Sequence, residues 1–261
     1  MHRDRFMKFT LQKATLWKRF SALLFDIILT AILIVGFCAV TSLIVGYDQH
    51  NAKLSARYEY FETEYGVQFD ISDEEFEKLS DMQKGQYELA KKALAEDKEI
   101  QTLYKQLFTK TLVILTVGCF LGVLVWDFII PLFLKNGQTL GKKIFGTAVI
   151  RTNGVKITTQ VLFIRAMIGT FAFETMFPIL LVAMIFFGLL GSVGIITLAL
   201  FYILQIGVIC ATYTNSAIHD MLCDTVVVDF SSQLIFENEE ERVEFIRRQQ
   251  EEEELAALNQ F

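Results

Sequence analysis

Phe20 to Gly46, Leu112 to Leu134 and Ala166 to Thr212 are apolar runs longer than the core helices of a soluble domain. A helix needs roughly 20 apolar residues to cross a bilayer core of about 30 Å, so each of the first two runs supplies one crossing. The third is too long for one crossing and too short for two with a domain between them. It reads as a helical hairpin whose outer turn is marked by Gly188, Gly191 and Gly194. An all-α polytopic membrane protein with four transmembrane helices is therefore expected. Composition agrees, since 53% of the residues are hydrophobic, with 24 Phe and only 2 Pro. Acids and bases are segregated along the chain, so the net charge of -6 says little about partners, and no nucleic-acid face is implied.

The placement of lysine and arginine sets the orientation. Arg3, Arg5, Lys8, Lys13, Lys18 and Arg19 precede the first run, and Lys135, Lys142, Lys143, Arg151, Lys156 and Arg165 follow the second without one acid among them. Both segments are assigned to the cytoplasm, which places both termini there and the protein in the cell membrane. Residues 1–46 are then a cytoplasmic N-terminus with the first span, 47–110 an extracytoplasmic insertion, and 111–135 the second span. A basic cytoplasmic loop at 136–165 leads to the third and fourth spans at 166–212 and a cytoplasmic tail at 213–261. The first run exceeds the roughly 7 to 15 residues of a cleavable signal core and is read as retained. Cys38 follows the bulky Phe37, where a lipoprotein site wants a small residue, and the four cysteines read as thiols rather than disulfides.

The insertion holds 14 acidic against 9 basic residues between Tyr47 and Lys110. Ser72 with Glu75 forms a capping box, and Phe76, Leu79, Met82, Leu89 and Ala93 recur at helical spacing. A helical hairpin is expected: one helix near Ala52 to Tyr65, a turn at Gly66, then a long helix from Asp73 running toward the second span and bending at Gly85. In the basic loop, Thr147-Ala-Val-Ile-Arg and Val155-Lys-Ile flank Asn153-Gly154, a pair that favours a small β-hairpin. Thr225-Val-Val-Val, beyond Asn215-Ser-Ala-Ile-His-Asp, is a short strand suited to pair with it. The tail from Glu237 is acidic and reads as a solvated helix or a disordered segment.

The residues that a bilayer should reject carry the functional information. An ionisable group inside a span costs a few kcal/mol, so it needs a reason to be there. Asp26 lies seven residues past Arg19, Asp127 eight before Lys135, and Glu174 nine past Arg165. At a helical rise of 1.5 Å per residue all three sit about 10 to 14 Å deep, a candidate polar layer in one leaflet. No Lys or Arg lies within the spans at that depth. The carboxyls are therefore protonated, hydrated, paired with bases reaching in from the cytoplasmic rim, or holding a cation. Arg19 and Asp26 lean in ways that favour partners on other helices. Polar residues at such depth act either as glue between helices or as an ion or proton path.

Arg19-Phe-Ser-Ala-Leu-Leu-Phe-Asp26, Gly137-Gln-Thr-Leu-Gly-Lys-Lys-Ile-Phe-Gly146-Thr-Ala-Val-Ile-Arg-Thr-Asn-Gly154, Arg165, and Ile218-His-Asp220 with Thr225-Val-Val-Val together resemble the RDD family of membrane proteins. The resemblance implies that Arg19, Asp26 and Asp220 are the arginine and two aspartates for which that family is named. It further implies transport of ions or small solutes, or an accessory role beside another membrane protein. The chain differs from the compact family pattern by its long outer insertion and by an additional hairpin span.

Other signals are weaker. Gly137 to Lys143 imitates a phosphate loop, but its glycines stand one residue too close and Lys143 occupies the Ser/Thr position. His219 with Cys223 offers two ligand types and no metal site. With no supported nucleophile, no enzymatic activity and no cofactor are expected. Two readings of function stay open. In one, a small cation or proton moves through Asp26, Asp127 and Glu174, with Arg19, Arg165, His219 and Asp220 at the cytoplasmic mouth. In the other, the chain is a regulatory or scaffolding subunit whose outer insertion binds a membrane-protein partner, or a homo-oligomer, and whose buried charges lock the helices together. The lipid bilayer is a partner in both.

Overall fold

The computed structural model describes residues 11–134, 136–212 and 216–258. Arg3, Arg5, Lys8, Lys135 and Asn215, used above for orientation and for the tail, lie outside the described residues. In chain order the elements are α1 (Leu16–Val45), α2 (Tyr47–Tyr65), α3 (Asp73–Glu77), α4 (Asp81–Glu96), α5 (Lys98–Leu134), α6 (Leu140–Ile144), β1 (Thr147–Arg151), α7 (Thr159–Phe186), α8 (Gly191–Ala211), α9 (Ile218–Leu222), β2 (Thr225–Asp229) and α10 (Glu239–Leu258). Four of these helices, α1, α5, α7 and α8, are long and apolar enough to cross a membrane. The fold is that of a predominantly α multi-pass membrane protein. The flanks of α1 and α8 leave Leu23, Ile27, Ile196 and Ile203 uncovered by protein, as helices with internally satisfied backbones can do in lipid.

The chain divides into two compact units, Gly36–Gly118 and the remainder. In the Gly36–Gly118 unit, α2 ends at Gly66 (φ 64). The expected capping box forms, with the Glu75 N–H donating to Ser72 Oγ at 3.3 Å and the Ser72 N–H to Glu75 at 2.9 Å. The expected long helix does not. Chain reversal at Leu79 is fixed by a second box, Ser80 with Gln83, which starts α4 anew, while Gly85 sits inside α4. A glycine in a helix interior costs only about 1 kcal/mol, and a capping box supplies a defined end, so the break falls at the serine. Asp97 makes the next break. Its carboxylate accepts from the Ile100 N–H at 2.8 Å and from the Arg57 guanidinium at 2.6 Å, and the Arg57 hydrogen bond first, then the Ile100 N–H, hold it below the usual carboxylate range. Phe69, Phe76 and Tyr87 pack ring to ring, at 5.9 Å for Phe69 with Tyr87 and 5.0 Å for Phe76 with Tyr87. Where α1 meets α5 in this unit, Gly118 lies so close to Cys38 that a Cβ there would overlap the Cys38 Sγ.

In the other unit, the strand expected at Thr225 pairs with the first arm of the expected hairpin, while the hairpin's second arm does not form a regular strand. β1 runs antiparallel to β2, from Thr147 opposite Asp229 to Arg151 opposite Thr225, whereas Val155 and Lys156, across the Asn153-Gly154 turn, give only isolated bridges to Phe236 and Ile150. The Val226–Val228 stretch wins because it covers both faces of the pair. Ala148, Ile150, Val226 and Val228 pack on one face, and Val149 and Val227 pack with Ala14 on the other. Lys13 bridges to Val228, and the Lys18 ammonium pairs with Asp229. The segment before α1, the loop between α5 and α7, and the segment after α8 thus share one sheet, so all three lie on one side of the membrane. An even number of crossings between each of them follows, as four spans require.

Both prolines of the chain fall in spans, four residues after an acid: Pro131 after Asp127 and Pro178 after Glu174. Proline lacks the N–H that would bond to the carbonyl four residues back. Each helix widens there into π-type turns, Leu124–Ile129 in α5 and Arg165–Met176 in α7, and the Ile130 and Phe177 N–H groups bond five residues back, to Val125 and Ala172. Such turns recur at functional sites because they re-aim side chains.

The close approach at Gly118 is testable. Gly118→Val should destabilise the protein by about 1 to 3 kcal/mol, the usual cost of overpacking, seen as a lower midpoint of thermal unfolding in detergent. Gly36→Ala, with nothing within 4 Å of the new methyl, should leave the midpoint unchanged.

Candidate functional site

Asp26 is buried on α1, and its carboxylate is the anchor of α6. Oδ1 accepts from Trp126 Nε1 of α5 at 3.1 Å and from the Gly141 N–H at 2.9 Å, and Oδ2 accepts from Thr139 Oγ1 at 2.5 Å. Lys142 Nζ stands 3.8 Å from Oδ2. The close seating needs a glycine, because a Cβ on Gly141 would lie 2.5 Å from the Ala22 carbonyl oxygen and 2.7 Å from Asp26 Oδ1. The Gly137-to-Lys143 segment, which imitates a phosphate loop in sequence, therefore wraps a carboxylate of its own chain. Thr139 also accepts from the Lys142 N–H at 3.3 Å, which opens α6.

A second cluster joins α7 to α9. Arg165 donates to Asp220 Oδ1 from Nε at 3.1 Å and from an NH2 nitrogen at 3.0 Å, and contacts His219 Nε2 at 2.7 Å. Thr225 Oγ1 donates to the same Asp220 oxygen at 3.2 Å. His219 Nδ1 meets Glu174 Oε1 at 2.5 Å. The His219 backbone packs onto Gly169, where a new Cβ would lie 3.0 Å from the His219 Cα. Arg19 acts on this cluster through its charge, felt together with those of Asp220 and Arg165. Burial alone would push the Asp220 carboxyl up; the charges of His219, Arg165 and Arg19, with the Arg165 hydrogen bond, outweigh it and hold Asp220 at about 2.

Asp127 stands in the field of both clusters. The charges acting on it are those of Lys142, Arg165, Asp26 and His219, yet no hydrogen bond from a described residue reaches its carboxyl. Lys142 is itself buried, and its ammonium is held below the usual lysine range first by that burial and next by Arg165, against the pull of Asp26, Asp127 and Asp220. Asp26, Asp127, Glu174 and Asp220 thus share one network with Arg19, Lys142, Arg165 and His219.

The three acids of the expected polar layer are thus electrically linked but bond to different partners: Asp26 to α5 and α6, Glu174 to His219, Asp127 to none of the described groups. Arg165, His219 and Asp220 of the expected mouth are in direct contact, and Arg19 stands within their field. Sequence reasoning left Trp126, Thr139, Gly141 and Lys142 without a role. One signal was available for Trp126, an indole N–H next to a membrane acid.

Compared with known families, the chain matches the RDD family over residues 13–224. No curated protein and no solved structure matches it.

A buried ion pair broken on one side leaves an uncompensated charge, at about 3 to 5 kcal/mol. Arg165→Met should lower stability by roughly that amount, and Arg165→Met with Asp220→Leu should restore most of it, read as unfolding midpoints in detergent. Acid should act through the same pair. Because Asp220 is depressed, its contribution is present above the unfolded value near 3.9 and is lost as pH falls toward 2.

Proposed function

The chain belongs to the RDD family, and from that premise we propose that it exchanges a small monovalent cation for a proton across the cell membrane. The N-terminus, basic loop and tail are assigned to the cytoplasm by the positive-inside rule. The observation that carries the reading is Asp127, a membrane carboxyl that no described residue hydrogen-bonds and on which Lys142 and Arg165 act by their charge. Groups that only glue helices together are hydrogen-bonded across them, as Asp26 and Arg165 are. Asp127 makes no such bond to the described residues and is available to a mobile charge.

Exchange follows because a cation and a proton compete for one carboxyl: an Asp127 that holds a proton has no charge with which to hold a cation, and one that holds a cation has no site for the proton. Glu174 meets His219 at 2.5 Å, a polar contact that continues from Arg165 and Asp220 into the span. No covalent chemistry is involved, and the chain is read as a non-enzyme without cofactor.

In proteoliposomes with an interior pH dye, addition of external sodium or potassium should drive proton movement. Asp127→Asn should lower that rate by about tenfold or more, as expected when a membrane charge essential to a path is removed, while expression and unfolding midpoint stay near wild type. Unchanged exchange in Asp127→Asn removes the proposal.

A second reading rests on α4, where Met82 and Leu89 are 78% and 63% exposed and, seven residues apart, lie on one helix face. This face suits a membrane-protein partner. Met82→Glu with Leu89→Glu should then remove a co-purifying protein and leave cation-driven proton movement intact.

A further inference from the structure

We infer that Lys142 is a tethered substitute for the transported cation: its ammonium stands 3.8 Å from the Asp26 carboxylate, as the loosest of its neighbours, and leaves when a mobile cation arrives. The inference rests on the exchange reading above and deepens it by naming the group with which the cation competes.

The contacts around Asp26 are unequal. Trp126, Thr139 and the Gly141 N–H all bond to the carboxylate within 3.1 Å, whereas Lys142 Nζ is the loosest neighbour at 3.8 Å. Its one hydrogen bond, to Thr139 Oγ1, is long at 3.4 Å. Asp26 therefore stays satisfied if the ammonium moves off, and α6 keeps its anchor. Lys142 is also the foremost of the charges acting on Asp127, whose carboxyl no described residue hydrogen-bonds. A carboxylate in an apolar layer needs a counter-charge, and here the chain supplies one on a flexible four-carbon stem rather than a fixed fork. An arginine would lock the site with paired bonds; a lysine is a compact point charge that can be exchanged for another.

The side chain is 14% exposed, while the adjoining Lys143 is exposed and serves as an internal reference. The same partial burial shields the Lys142 amine from an acylating reagent, and departure from the site removes the shield.

The experiment uses the full-length wild-type chain in lipid nanodiscs, treated briefly with acetic anhydride in sodium, potassium or choline chloride at one ionic strength and pH. Acetylation of Lys142 relative to Lys143 is read by mass spectrometry. The expected result is an increase of about fivefold or more in sodium or potassium over choline, the size of a modest coupling between sites, and its loss in Asp127→Asn. A ratio equal in all three salts overturns the inference. In proteoliposomes, Lys142→Gln should exchange protons at about tenfold lower half-saturating cation concentration, because an intramolecular competitor at millimolar effective concentration has gone. An unchanged or raised half-saturation also overturns it. Normal cation-driven exchange beside a salt-independent Lys142 ratio sinks this inference and leaves the exchange reading standing. A cation-dependent ratio without any exchange upholds the competition at Lys142 and sinks exchange alone.

Discussion

An ionised carboxylate inside a hydrocarbon layer has no water to answer it, and the structure around the four spans is organised by that deficit. Asp26 is answered by bringing a piece of loop back to it. Thr139, the Gly141 N–H and Lys142 all come from the connection after α5, and Trp126 joins from α5 itself. The carboxylate thereby decides where α6 sits, and α6 in turn delivers the chain to β1 only three residues later. From β1 the antiparallel pairing to β2 fixes the segment after α8, and the bridge from Lys13 fixes the segment before α1. One buried acid thus sets the register of the face on which three segments of the chain meet.

Asp220 is answered differently, by Arg165 and by Thr225, the first residue of β2. The two aspartates therefore hold the sheet from opposite ends, Asp26 through the element that precedes β1 and Asp220 through the residue that begins β2. Each is satisfied by several donors, which is the condition under which a buried charge stabilises rather than strains a structure. Their strong satisfaction makes them poor carriers of a mobile ion. The less satisfied acids, Asp127 and Glu174, are the two that precede a proline by four residues and sit in widened turns. A helix that has already given up a regular backbone bond holds its neighbouring side chains less rigidly, so backbone irregularity and chemical availability coincide at the same two positions.

Much of this was legible in the sequence. Span number followed from length and hydropathy, the strand Thr225-Val-Val-Val from β-branched composition, and the Ser72 box from its spacing. What escaped notice has physical reasons. A loop that folds back onto a buried acid leaves no periodic trace, so Thr139 and Gly141 give no sign of the carboxylate they wrap. Asn153-Gly154 is a strong local turn signal, but local signals do not tell that the strand expected at Thr225 displaces the hairpin's second arm by covering a larger apolar face. Ser80 with Gln83 is a capping box as plain as the first, but glycine drew attention to the wrong place. The spacing of each acid to its proline was in view and unread, because neither residue alone is unusual in a span.

Equal depth in the membrane proved less informative than unequal satisfaction. Depth places Asp26, Asp127 and Glu174 in one layer and gives them one role; their partners separate them into an anchor, a carboxyl bonded to none of the described groups and a member of a histidine pair. Electrostatics then joins them again, since Lys142, Arg165, Asp26 and His219 all act on Asp127. In water such fields are screened by the ionic atmosphere within a Debye length. Within a protein layer of low dielectric they are felt across the whole network, so a charge that reaches Asp127 changes the field at its neighbours without any chain of moving contacts between them.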